Sequence, residues 1–235
     1  MKKSHIATLI VLFVLIPLTL YLGSRLSGRS YYLTGTLIVI ELLIPFFLAF
    51  EGRAPQAREL VTIAVLCAIA VAGRAAIPIP NFKAIFAIIM IAGIAFGPET
   101  GFLVGAVSAF ASNFFYGQGP YTPWQMLGYG IAGLIAGFVY RKKWLSRKPL
   151  VLGIFGFFCV VLVVGPLLDT SSVFLTLPRI TWKSALALYM SGFPVNIGHG
   201  GATFLTLLLL GKPLLDKLDR LKVKYGMMEA HDDGI

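Results

Sequence analysis

Long apolar runs alternate with short polar segments along the chain, and eight of the runs are candidates for membrane-spanning helices. A helix needs about 20 residues to cross the hydrocarbon core of a bilayer, which is roughly 30 Å thick. The third and fourth runs are shorter, and their boundaries could differ because the link between them is itself apolar. The predicted spans are residues 6–22, 33–50, 60–73, 84–96, 100–116, 123–140, 150–168 and 184–211. The pattern predicts an all-α integral membrane protein with about eight transmembrane helices.

The positions of the basic residues favour one orientation of these spans. If the N-terminus is cytoplasmic, 14 of the 20 Lys and Arg residues lie in the cytoplasm, as the positive-inside rule requires. The other six are Arg25, Arg29, Arg74, Lys83, Arg179 and Lys183. We therefore predict a multi-pass protein of the cell membrane with both termini cytoplasmic. Residues 214–235 carry leucines at helical spacing between basic residues, which predicts an interfacial helix on anionic headgroups.

Composition excludes several other classes of protein. Hydrophobic residues make up 57% and charged residues 13% of the chain, whereas soluble proteins contain about 25% charged residues. The net charge of +10 could indicate nucleic-acid binding, but the cations lie in short clusters between apolar runs, so we expect no nucleic-acid partner. The two cysteines, Cys67 and Cys159, lie in apolar runs and provide neither a disulfide framework nor a zinc site.

Motifs for catalysis and nucleotide hydrolysis are missing from the sequence. It has no P-loop, no His-Glu-x-x-His motif and no Gly-x-Ser-x-Gly elbow, so we predict no enzyme, no cofactor and no metal site. Glu41 is the only carboxylate well inside a predicted span. It could relay protons in an ion-driven carrier, but the favoured interpretation is a neutral, hydrogen-bonded carboxyl group.

Polar uncharged side chains converge between the fifth and sixth spans. Residues 112–126 combine amides with aromatic rings around a turn rich in glycine and proline. An aromatic belt at the membrane interface would explain the rings but not the amides, so a site for a planar, polar organic ligand is favoured. The candidate binding residues of this segment are Asn113, Tyr116, Gln118, Tyr121, Trp124 and Gln125.

Two further segments are predicted to reach the same face. Residues 74–83 form a proline-containing link that is suited to cover a pocket. The last span contains Pro194 and several glycines, so a kinked helix could offer free polar groups at depth. Its histidine either contacts a ligand or makes an interhelical hydrogen bond. The candidate residues of the two segments are Arg74, Asn81, Phe82, Asn196 and His199.

Small residues recur every four positions in the third span, at Ala64, Ala68 and Ala72. Such a stripe lets another helix approach closely. That helix could belong to the same chain or to a partner, and the glycines of the fifth and sixth spans offer a similar surface. Spacing alone therefore leaves the partner of the stripe open.

Several motifs together resemble a known family. They are Phe96-Gly97-Pro98-Glu99-Thr100-Gly101 with Gly105-Ala106, Ser112-Asn113-Phe114-Phe115 with Gly117-Gln118-Gly119-Pro120, Thr122-Pro123-Trp124-Gln125-Met126, and Leu208-Leu209-Leu210-Gly211-Lys212-Pro213-Leu214-Leu215. With them, the sequence from about residue 60 to residue 226 resembles the membrane-embedded, substrate-binding S components of energy-coupling factor (ECF) vitamin transporters.

The resemblance implies a six-helix core, residues 59–213, that binds a vitamin-type substrate on its outer face. Residues 1–58 would form two additional helices with a cytoplasmic link, and residues 214–235 the tail. It also implies a complex with a transmembrane coupling subunit and two cytoplasmic ATPases, and delivery of substrate by toppling in the bilayer. By the same resemblance, Ala64, Ala68 and Ala72 contact the coupling subunit, and residues 74–83 gate the pocket.

Within the family, the two extra N-terminal spans and the signature of residues 118–125 are most similar to S components for cobalamin or a corrinoid precursor. Short loops leave little to cover a corrinoid, so a smaller vitamin or a nucleobase-like precursor is the alternative ligand. From other classes, a stand-alone ion-coupled carrier and a non-transporting receptor remain as alternatives.

Overall fold

The computed structural model describes residues 10–25, 30–52, 57–75 and 79–226, which form eight helices and no strand. Helix α1 comprises a π-helical turn, Val11–Leu15, followed by Ile16–Arg25. The other helices are α2 (Ser30–Glu51), α3 (Ala57–Ala75), α4 (Ile85–Phe96), α5 (Pro98–Tyr116), α6 (Thr122–Arg141), α7 (Pro149–Thr176) and α8 (Trp182–Tyr225). They follow the eight predicted spans in number and order, and the all-α prediction is confirmed. The predicted start of the first span lies outside the described residues.

The helices differ in how well their composition suits a membrane span. Among the described residues, α7 and α8 are long and apolar enough to cross a bilayer, whereas Phe13–Gly23, Leu33–Leu48 and Ile85–Phe96 are shorter apolar segments. Helices α5 and α6 are less apolar because they carry glycines and polar side chains, many of them buried between helices. Eight helices are therefore present, and two of them meet the criterion of length and hydropathy on their own.

Helix α4 lies at the centre of the bundle. All twelve of its residues are buried, which agrees with its uninterrupted apolar sequence from Ile85 to Phe96. A helix that is hydrophobic all round needs neighbours on every side. Helices α3, α5, α6 and α8 all contact it. Its length is about 18 Å at roughly 1.5 Å per residue, so it is shorter than the hydrocarbon core.

Glycines bring α4, α5 and α6 together until their backbones touch. A Cβ atom placed on Gly133 would lie 2.2 Å from the carbonyl oxygen of Gly101, and one placed on Gly93 would lie 2.1 Å from that of Gly133. Gly105 meets the carbonyl of Tyr129 in the same way, at 2.3 Å. The glycine stripes of α5 and α6 therefore pack against helices of this chain. The sequence had left open whether their partner was this chain or another protein.

Substitution of Gly133 by alanine is expected to destabilise the bundle strongly. The added methyl group would collide with backbone atoms of α5, which cannot rotate away, so we expect a loss of about 3 kcal/mol in unfolding free energy. Gly201→Ala is the matched control, because a Cβ atom there meets nothing within 4 Å. Denaturant unfolding of both variants in detergent micelles measures the difference. Equal stability of the two variants would contradict the backbone contact.

Prolines account for three widened turns in the long helices. The π-helical turns Val11–Leu15, Val160–Val164 and Leu207–Gly211 each end two residues before a proline, namely Pro17, Pro166 and Pro213. Proline has no N–H group and its ring crowds the preceding turn, and a widened turn relieves this crowding without ending the helix. Pro194, for which the sequence predicted a kink, lies in regular α-helix, Trp182–Thr206.

Helix α2 of the N-terminal pair packs against α5, α6 and α7. Phe46 of α2 stacks on Phe102 of α5 with ring centroids 4.0 Å apart. Between the two N-terminal helices, Thr19 Oγ1 donates a hydrogen bond to Glu41 Oε1 at 2.5 Å, while Glu41 Oε2 is buried without a partner. The hydrogen-bonded carboxyl group favoured by the sequence is thus present in the structure.

Residues 214–225 are the last turns of α8 and do not form a separate tail helix. Their leucines at 215 and 218 are buried under the bundle. Asp219 forms an ion pair with Arg147 of the α6–α7 loop, and the Lys222 ammonium group donates a hydrogen bond to the Ala95 carbonyl at the end of α4. Residues 212, 217, 220 and 224 keep their basic side chains exposed, so the predicted basic face remains available. Residues 227–235 lie outside the described part.

Candidate functional site

Three connections lie at one end of the bundle, called the upper end here: the α3–α4 link, the α5–α6 turn and the α7–α8 link. The last turn of α3, the last turn of α5 and the first turn of α6 meet there through the side chains of Arg74, Asn113 and Gln125. The sequence predicted that these three residues belong to one site, and the structure brings them into contact.

Arg74 is the cation of this cluster. Its Nη1 atom donates hydrogen bonds to Ser112 Oγ and, at 2.9 Å, to Asn113 Oδ1. The guanidinium carbon lies 4.5 Å from the ring centroid of Tyr116 and 5.8 Å from that of Tyr129. The Tyr116 hydroxyl closes the arrangement by donating to the Arg74 carbonyl at 3.1 Å. Aromatic faces and the C-terminal end of α3 both favour a positive charge at this position.

Asn113 links the three helix ends. Its side chain is fully buried. Its Oδ1 atom accepts from Arg74, and its Nδ2 atom donates to Gln125 Oε1 at 2.8 Å and to Thr122 Oγ1 at 3.2 Å. All of its hydrogen-bonding groups are therefore used inside the protein. The amide therefore holds the Arg74 guanidinium group in place.

The α5–α6 turn uses its own polar groups in the same way. Gln118 donates to the Phe110 carbonyl at 3.0 Å and accepts from the Thr122 hydroxyl at 2.9 Å. The Tyr121 hydroxyl donates to the carbonyl of Gly117, which has a positive φ of 96°. The sequence placed Gln118 and Tyr121 in the site as ligand contacts, whereas here their polar groups bond to the turn that supports it.

A second set of candidates lies across an aromatic bridge. Phe86, in the first turn of α4, contacts Tyr129 edge to face at 4.6 Å and His199 of α8 at 5.9 Å between ring centroids. The Nδ1 atom of His199 is buried and has no hydrogen-bond partner. The interhelical hydrogen bond that was the alternative for this histidine is therefore not made by Nδ1.

Asp169 is a polar residue of this region that the sequence did not single out. Helix α7 continues to Thr176, past the predicted end of the span at residue 168, so Glu41 is not the only carboxylate within a helix of the bundle. Asn196 Nδ2 donates to Asp169 Oδ2 at 2.7 Å. A Cβ atom on Gly192 would lie 2.3 Å from Asp169 Oδ1, which shows how closely the carboxylate fits against α8. Had the seventh predicted span been extended by one helical turn beyond residue 168, it would have included Asp169.

The link between α3 and α4 reaches α8 beside His199. Asn81 has a positive φ of 59°, and a Cβ atom on Gly198 would lie 2.9 Å from its carbonyl oxygen. Phe82 is half-buried in the same link. The predicted lid, residues 74–83, includes residues 76–78, which lie outside the described residues.

Trp124 does not join the polar cluster. Its ring stacks on Phe174 of α7 with centroids 5.6 Å apart and packs with Val39 and Leu43 of α2. Consecutive residues of a helix point about 100° apart, so Gln125 faces Asn113 while Trp124 faces the N-terminal pair. Trp124 therefore lies apart from the polar cluster, because the sequence pattern did not fix the rotation of the helix, and its role as a ligand contact stays a prediction.

The alanine stripe lies on a different surface. Ala64, Ala68 and Ala72 are exposed on α3 and line an apolar groove of about 710 Å³ between α3 and α5. Val107, Ala111 and Phe115 form its other wall; the remaining lining residues are Leu60, Ile63, Cys67, Val71 and Ala75. No described helix of this chain fills the groove, in contrast to the glycine stripes. The surface is open to a helix from a partner.

Comparison with known proteins decides the family. A family model described as "ECF-type riboflavin transporter, S component" matches residues 55–219, most of the chain. The chain belongs to this family. The expected relation to S components of ECF transporters is confirmed at this level, and the match extends over helices α3 to α7 and most of α8. The family is a component of membrane transporters and not a class of enzymes.

Curated relatives of this S component carry the name UPF0397 protein. A UPF0397 protein of Vibrio atlanticus (strain LGP32) is 30% identical over 118 residues, which cover 47% of this chain and 64% of the relative. A UPF0397 protein of Lactococcus lactis subsp. cremoris (strain NZ9000) is 38% identical over 82 residues, covering 34% and 41% respectively. The chain thus matches less than two thirds of the length of each of these relatives. No solved structure matches it significantly.

Proposed function

We propose that this S component is the high-affinity substrate-binding subunit of an ATP-driven ECF importer, and that its substrate is cobalamin or a corrinoid precursor. The observation that carries the proposal is the family match over residues 55–219, which contains both the polar cluster around Arg74 and the open alanine groove. The polar cluster suits a ligand and the alanine groove suits a helix of another protein. A subunit that binds substrate and passes it to a transport complex requires both kinds of surface.

The polar cluster supports the binding role by its chemistry. A guanidinium group beside two tyrosine rings, with a half-buried histidine one aromatic ring away, can accept a flat polar molecule. The Asp169–Asn196 pair adds acceptors on α7 and α8. We propose Arg74, Tyr116 and His199 as ligand contacts. The supporting residues are Asn81, Phe82, Asn113, Gln118, Tyr121, Gln125 and Asn196.

The substrate proposal comes from the motifs of residues 112–126, which are most similar to corrinoid-type S components. The description of the matched family names riboflavin, a smaller planar vitamin, and this gives the second ligand to test. The argument for this alternative is the close packing of the upper end, where Asn113 bonds to Gln125 and Gln118 bonds to Thr122; the corrinoid remains the substrate proposed here.

The partners follow from the family and the alanine groove. We propose that a transmembrane coupling subunit places an apolar helix along Ala64, Ala68 and Ala72, and that two cytoplasmic ATPases supply the energy. In this arrangement both termini are cytoplasmic, residues 59–213 form the core and the upper end faces outward. Substrate would reach the cytoplasm by toppling of the whole subunit in the membrane.

Co-purification of the natural ligand tests the binding role. The chain is expressed in vitamin-rich medium and purified in mild detergent, and the released small molecules are identified by absorbance and mass spectrometry. A mock purification from cells without the chain is the control. We expect about one ligand per chain, since a high-affinity complex survives purification.

The spectrum also separates the substrate classes. Corrinoid absorbance would support the substrate proposed here, and flavin absorbance would keep the importer but replace the substrate. An empty protein that binds neither vitamin on titration would contradict the binding role. Uptake by the chain alone under a proton gradient, lost in Glu41→Gln, would favour the ion-coupled carrier.

A further inference from the structure

We infer that the ligand of this site carries an anionic group, a carboxylate or a phosphate, and that Arg74 binds it through the free edge of its guanidinium group. The inference rests on the proposed function, because it concerns the substrate of the same site. It adds the charge of that substrate and separates the candidates, because riboflavin, which the family description names, has no carboxylate or phosphate.

The first step concerns the hydrogen bonds of Arg74. Among the described residues, Arg74 donates side-chain hydrogen bonds through Nη1 alone, to Ser112 and Asn113. Within the same residues, neither Nε nor Nη2 donates to a protein acceptor, and the Arg74 side chain is half-buried. Nε and Nη2 form the edge of the guanidinium group that binds two oxygens of a carboxylate or phosphate side by side. The described part of the protein therefore holds the group by one nitrogen and leaves this edge without a partner.

The second step concerns charge balance. In the part of the chain that the structure describes, no carboxylate is in ion-pair contact with Arg74. Asp169 pairs with Asn196, and Glu41 with Thr19. The partners of Arg74 are neutral: a hydroxyl, an amide and two phenol rings. The helix end supplies at most about half a negative charge.

A half-buried guanidinium group without a counter-charge lowers the stability of the ligand-free protein. A ligand that brings the missing negative charge would remove this cost and gain a charge-assisted, bidentate pair. The surrounding charges also favour an anion. Lys83, Arg179 and Lys183 lie at the upper end, and Asp169 is the one carboxylate among the described residues there. Excess positive charge attracts an anionic ligand and speeds its encounter.

Inorganic phosphate is the probe for this inference. Ligand-free protein in detergent is titrated with sodium phosphate, with sodium chloride at equal ionic strength as reference, and thermal unfolding is followed by tryptophan fluorescence. At ten times the dissociation constant we expect the wild-type Tm to rise by roughly 4 °C. Arg179→Gln removes an exposed cation of the same end and should keep the full rise. Arg74→Gln should lose it.

A second variant, Asn113→Asp, tests the inference even if the Arg74→Gln protein does not fold. Asn113→Asp keeps the guanidinium group and places a protein carboxylate where the amide oxygen lies 2.9 Å from Nη1, so it should also abolish the phosphate-dependent rise. No rise in the wild type, or an equal rise in either variant, would overturn the inference.

The co-purified ligand gives an independent readout. A ligand with a carboxylate or phosphate that is retained at least tenfold less by Arg74→Gln supports the inference, and its acid group shows which of the two anions the site selects. A bound ligand without an acidic group would overturn the inference and leave the binding role intact. Absence of any ligand and of uptake would instead contradict the proposed function.

Discussion

Ala68→Trp is expected to abolish substrate uptake, by at least tenfold, while ligand binding stays within about twofold of wild type. Ala68 lies exposed in the middle of the groove between α3 and α5, away from the Arg74 cluster. An indole ring there would fill the space into which the coupling helix is proposed to fit, and helices that pack through small residues do not tolerate such bulk. Uptake in cells that express the complete transporter measures the first effect, and ligand retention after purification the second.

Ile69→Trp is the control for this variant. Ile69 is the next residue of α3, is 45% exposed and does not line the groove. It should leave both uptake and binding unchanged. If Ala68→Trp reduces binding as much as uptake, the stripe serves packing or folding and not contact with a coupling subunit. If uptake persists in Ala68→Trp, the coupling surface lies elsewhere.

Asn113→Leu is expected to lower ligand affinity by roughly 100-fold, which corresponds to about 2.7 kcal/mol. Leucine is similar in size to asparagine but offers no polar atom. Arg74 would lose its amide acceptor and Gln125 Oε1 its amide donor, at a cost of about 1–3 kcal/mol for each group left unsatisfied, whereas Thr122 Oγ1 would keep the Gly119 N–H. The guanidinium group would then no longer be held at the ligand position. Equilibrium binding of the identified ligand measures the effect.

Phe114→Leu is the matched control, because Phe114 is the next residue along the chain and is 70% exposed. It should bind the ligand normally. Thermal unfolding of both variants separates a local effect on the site from a general loss of structure. Normal affinity in a folded Asn113→Leu protein would show that Arg74 does not need this amide and would remove Asn113 from the site.

The helices and one half of the site were predictable from local sequence. In a chain of membrane-spanning helices, an uninterrupted apolar run such as residues 85–96 predicts a buried helix. The structure buries all twelve residues of this run. The turn of residues 117–121 fixes the distance between α5 and α6. For this reason Asn113 and Gln125, twelve positions apart, could be expected to meet, and they do.

Rotation of helices and contacts between distant segments were not predictable. Trp124 and Gln125 are neighbours in the same motif, yet one faces α2 and the other faces the polar cluster. Asp169 was missed because the apolar run ends one residue before it, although the helix continues for two turns. The roles of the small-residue stripes depended on which helices pack together, and only the structure shows that the glycines are covered while the alanines are open.

Reconstituted uptake tests the central claim most directly. The chain is placed in liposomes with its coupling subunit and two ATPases, ATP is enclosed on the cytoplasmic side, and accumulation of the co-purified ligand is followed. We predict accumulation that requires ATP and all of the subunits, and none with a catalytically inactive ATPase. Accumulation by this chain alone, driven by an ion gradient and independent of ATP, would contradict the account.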